Sequence, residues 1–91
     1  MNRITNASIK AFLAFGNASI AVCEVNELAR RTQLDDPARD LLAEVRTAHA
    51  QLRELFAQGL DDAVIVVARD VMELAFRTTE VLNQDQGPSG S

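Results

Sequence analysis

With 91 residues, a net charge of −4 and one cysteine, the chain has room for a single domain and none for an internal disulfide or a cysteine-cluster zinc site. The acid excess offers no surplus to neutralise phosphates, which disfavours nucleic acid or anionic lipid as a general partner. Hydrophobic residues make up 47% of the chain but include four Phe, no Tyr and no Trp. The core must therefore come from Ala, Val, Leu and Ile, which gain less per residue than aromatic rings.

The first element is a helix over 6–31. Ala7, Ala11, Ala14, Ala18, Ala21, Val25 and Leu28 fall on one stripe at spacings of three and four. Other faces carry Ile9, Phe12, Leu13, Phe15, Ile20 and Val22. Only one narrow column is polar: Lys10, Asn17, Glu24 and Arg31, each seven apart. A helix apolar nearly all round must be covered nearly all round, and a small domain gains most from a second chain. Alanine permits a close helix approach, near the short end of the ~8–10 Å range. The sequence therefore predicts a homodimer with Ala7, Ala11, Ala14, Ala18, Ala21 and Val25 at its interface. The apolar run 11–23 is broken by Gly16, Asn17 and Ser19 and falls short of the ~20 residues a bilayer span needs. Val22 before Cys23 does not suit a lipoprotein-type cleavage site. The segment reads as a buried helix, with Cys23 a small buried hydrophobe and no membrane partner. A lone thiol suits a reducing cytoplasm.

Glu27-Leu-Ala-Arg-Arg-Thr-Gln-Leu34 resembles the first half of the helix-turn-helix of bacterial repressors. That resemblance implies a nucleic-acid-binding transcriptional regulator with a degenerate motif over 27–42. The chain departs from the pattern at Gln33, where the family has glycine. The would-be recognition helix opens Asp35-Asp36-Pro37 with Asp40 following, and acids there repel phosphates.

The second helix is expected over 37–58, started by an Asp36 cap with Pro37 in the first helical position and ended by Gly59. Its seam is Ala38, Leu41, Val45, Ala48, Leu52 and Leu55. Arg39, Arg46 and Arg53 form a column beside Ala43, Ala50 and Ala57. Neither Arg46 nor Arg53 has an acid one turn away, so the column is a candidate docking face for an acidic protein. The third helix is expected over 62–83, capped by Asp61 or Asp62, with the seam Val64, Val67, Val71, Leu74, Thr78 and Val81. Glu73 and Arg77 are spaced to pair. Residues 84–91 read as a flexible tail after a single domain over 1–83.

No catalytic, cofactor or metal site emerges. His49, the one histidine, has no local carboxylate to orient it and no nucleophile beside it. Asp40 and Glu44 lie one turn apart, but two carboxylates without histidine are a weak metal motif. The expectation is an all-α, three-helix antiparallel unit that assembles as a helical-bundle homodimer. Its expected work is non-enzymatic, as a small adaptor, chaperone or inhibitor that binds another protein in the cytoplasm.

Overall fold

The structure, a computed structural model, describes residues 5–85. Among these, three helices run α1 (Asn6–Arg30), α2 (Asp36–Ala57) and α3 (Asp61–Asp85), with no strand. Helix α3 continues two residues past its expected end, and 86–91 of the expected tail lie outside the described residues.

Local chemistry sets each boundary. Thr5 is extended and its side chain accepts the Ser8 amide at 3.0 Å, capping α1. At the far end the Arg31 amide bonds the Leu28 carbonyl, and Thr32 donates its hydroxyl to the same oxygen at 2.8 Å. Helix α2 is capped by Asp35, whose Oδ1 accepts the Ala38 amide at 2.9 Å. The expected Asp36 cap is thus one residue late: Asp36 and Pro37 already belong to the first turn. Gly59 takes φ +74°, a left-handed conformation that glycine adopts without a Cβ clash. There the Leu60 amide reaches back to the Leu55 carbonyl and the Gly59 amide to Phe56, closing α2 in a Schellman turn. Asp61 and Asp62 sit inside the first turn of α3.

The short turns lay α2 antiparallel to both neighbours, so α1 and α3 run the same way. Phe12 and Phe15 meet Phe56, Ser19 meets His49, and Ser8 donates to the Asp61 carboxylate at 3.0 Å. One core cluster joins Ala11, Ala18, Val22, Val45, Leu52, Val64, Ala68 and Val71. A second, toward the other end, joins Val25, Ala29, Ala38, Leu42, Ala75 and Leu82. Thr78 is the buried polar residue among those described, and its hydroxyl is satisfied by the Leu74 carbonyl at 2.8 Å.

Candidate interaction surface

The alanine stripe of α1 faces inward. Ala11 and Ala18 are fully buried and Val25 nearly so, packed within this chain's own clusters. This corrects their expected place at an interface between chains. Their methyls let α1 lie close against its own neighbours, the role the sequence reading gave to a second copy. Ala7, Ala14 and Ala21 are half-buried. Ala14 and Ala21 floor an open groove of about 790 Å³ between α1 and α3. Its α3 side is Ile65, Ala68, Met72 and Phe76; Asn17 and Glu24 edge it on α1, Arg69 and Glu73 on α3. No residue of α2 lines it. Phe76 stands 67% exposed at its margin, a large apolar area to leave in water.

A second apolar surface lies on the side of α1 opposite the core. Ile9, Leu13 and Ile20 are 47%, 57% and 60% exposed, Gly16 is half-buried, and Phe12 lies alongside. Cys23 is exposed as well, which corrects its expected burial. These positions follow the four-three spacing that revealed the alanine stripe. The signal was therefore in the sequence, overshadowed by the alanine row on the opposite side. The polar column Lys10, Asn17, Glu24 divides this outward stripe from the groove, and all three are exposed. By length and composition α1 is also long and apolar enough to cross a membrane, which corrects the shorter apolar run read from sequence. Core helices and signal sequences share that property.

Between α1 and α2 lies a ladder of rings. Phe15 stacks on Phe56 at 4.2 Å with an interplanar angle of 7°, and the Phe15 and His49 centroids are 6.4 Å apart. His49 Nε2 lies 3.1 Å from Ser19 Oγ, a contact the sequence could not supply. Burial, and secondarily the charge of Arg53, holds the imidazole below its ordinary pKa of 6.5. The unfolded chain therefore takes up this proton more readily than the folded one. Above about pH 6.5 both forms are neutral and stability is unaffected; below it stability falls until the folded pKa is passed. Thermal melts between pH 7.5 and pH 5 should show this loss. His49→Phe should remove the part above the carboxylate range; an unchanged slope would show that His49 is not its source.

The arginine column is exposed. Arg39 lies 4.0 Å from Asp36, a solvated pair of little energetic weight. Among the described residues Arg46 and Arg53 have no ion pair or hydrogen bond, and Glu73 and Arg77 do not pair as their spacing suggested. No group of three or more His, Cys, Asp or Glu side chains among those residues could hold a metal ion, and Asp40 and Glu44 are exposed. The segment 27–42 spans the end of α1 and the start of α2, where Ala38 and Leu42 pack in one cluster with Val25 and Ala29.

No family model, curated protein or solved structure matches the chain.

Proposed function

We propose that the protein is a non-enzymatic interaction module, a homodimer in the cytoplasm whose α1–α3 groove receives a helix of another protein. The observation that carries this reading is the exposure of large apolar side chains on α1 and α3, Phe76 and Phe12 foremost. Contiguous exposed apolar patches on soluble chains mark docking sites. The groove suits an amphipathic helix. Ala14 and Ala21, seven residues apart and half-buried, floor it, so a guest backbone can come close. Phe76 and Met72 supply the larger anchoring contacts at its margin. The rim mixes Glu24 and Glu73 with Arg69, which favours a guest with charges of both signs.

Affinity capture from the source cells, compared across variants, tests the reading. Phe76→Glu should lose the captured partner by about tenfold or more while helicity and melting hold, since exposed substitutions usually change stability by less than about 0.5 kcal/mol. Retention by Phe76→Glu together with loss by Arg46→Glu/Arg53→Glu would move docking to the arginine column of α2. Retention by both would sink the reading.

A further inference from the structure

We propose that the outward stripe of α1 is the seam of the homodimer, and that it pairs antiparallel with α1 of a second copy about a two-fold axis beside Asn17. The inference rests on the homodimer reading and adds the face, the direction and the register.

The first support is the pattern of the stripe. Ile9, Leu13, Gly16, Ile20 and Cys23 alternate spacings of four and three, the repeat that keeps a helix edge facing one partner helix. All of them lie opposite the buried alanines; Ile9, Leu13, Ile20 and Cys23 are exposed and Gly16 is half-buried, with Ile9 and Leu13 bordering Phe56 and Asp61 at one edge. A Cβ built on Gly16 would meet nothing within 4 Å, so the stripe has a shallow hole at its middle.

Charge then fixes the occupant. Lys10, Asn17 and Glu24 each follow a seam position directly, so they flank the seam on one side. They read positive, neutral, negative, and neither Lys10 nor Glu24 has an ion-pair partner in its own chain among the described residues. In an antiparallel pair this flank faces its own counterpart, reversed. Setting Asn17 opposite the second copy's Asn17 brings Lys10 level with the second copy's Glu24, and by symmetry Glu24 level with its Lys10. The column is therefore self-complementary under a two-fold rotation, as an isologous interface requires. The same register seats Ile20 over the second copy's Gly16 and Leu13 near its Cys23. A parallel pair would instead set the column against the other flank of the stripe, Phe12, Ser19 and Asn26, which carries no acid. A slip of one heptad would set Asn17 against the second copy's Lys10 or Glu24 and separate Lys10 from Glu24, so the charges also hold the register.

A bilayer is the competing occupant, given the apolar length of α1. Lys10, Asn17 and Glu24 argue against it, because they would lie on the lipid-facing side.

The test is a reciprocal charge swap read by light scattering coupled to size exclusion at about 10–100 μM, with helicity followed by circular dichroism. Wild-type chain should be a dimer. Lys10→Glu alone and Glu24→Lys alone should each dimerise about tenfold more weakly, because each turns two attractions into repulsions. Mixing the two variants should restore a heterodimer, in which both contacts are again opposite in sign. Ile20→Glu should give a helical monomer. Mild oxidation should leave the wild-type dimer uncrosslinked, since the two Cys23 residues would lie about 15–18 Å apart along the helices, beyond the ~7 Å reach of a disulfide. A wild-type dimer indifferent to the swaps, or crosslinked through Cys23, overturns this seam and leaves the homodimer reading standing. A wild-type monomer in buffer overturns both. A monomer that floats with neutral phospholipid vesicles gives the stripe to a bilayer and overturns the seam.

Discussion

Leucine in place of Ala18 should lower the melting temperature markedly, while leucine in place of Ala14 should leave it nearly unchanged. The two sites lie one turn apart, and both substitutions keep helix propensity almost constant. What separates them is the surroundings. Ala18 is fully buried in the cluster that includes Val64, Ala68 and Val71. Extra methylenes there must push packed side chains aside, at about 1–3 kcal/mol. For a chain of this size that corresponds to about 5–20 °C. Ala14 opens on the groove, where a larger side chain has room. Melts followed by circular dichroism decide it. Equal melting temperatures for the two variants would mean that the inward face of α1 has been misplaced.

A loss of similar or larger size is expected for Leu52→Ala. Leu52 is among the largest fully buried side chains, and it lies in the same cluster as Ala18. Truncation removes its transfer free energy and leaves a cavity, together about 2–5 kcal/mol. Against a total stability near the ~5 kcal/mol low end for small domains, that is enough to leave a large fraction unfolded at room temperature. Urea unfolding gives the measurement, with an unchanged slope confirming that the native state alone is affected. A loss under about 1 kcal/mol would show that the site collapses around the gap or that Leu52 is not central.

The helices were legible because their ends and periods are written locally. Asp35-Asp36-Pro37 and Gly59 are chemical punctuation, and a wrong choice between adjacent aspartates moves a cap by one residue. The seam of α2 was read in part: Ala38, Val45 and Leu52 are buried, Leu41, Ala48 and Leu55 are half-buried, and Leu42, outside the chosen row, is buried. The seam of α3 was read half right. Val64, Val71 and Thr78 are buried, but so are Ala68, Ala75 and Leu82, which the chosen row omitted. Helix α3 packs against both neighbours and so buries a wider arc than one stripe. For α1 the sequence showed two apolar rows and no means of ranking them. Bulk favoured burying Ile9, Leu13 and Ile20, yet the alanines went inside. The deciding factor is how closely neighbouring backbones approach, which composition does not encode. The His49–Ser19 contact spans 30 residues and needed the tertiary arrangement. The helix-turn-helix likeness rests on residues 27–34. Its residues serve here as the end of one helix and the connection to the next.

The directions of the helices carry a last consequence. With α1 and α3 aligned and α2 reversed, the peptide dipoles do not cancel: two point one way and one the other. The excess equals about one helix, or roughly half an elementary charge at each end of the unit. The first turn of α1 has no acid of its own. The Asp61 carboxylate, bonded through Ser8, lies at the positive ends of α1 and α3 together. That carboxylate offsets part of the uncompensated field at one end only. In the proposed antiparallel pair the second copy runs head to tail beside the first, and the two residual dipoles oppose each other. The pairing that matches Lys10 to Glu24 would thus also give an assembly with almost no net axial dipole.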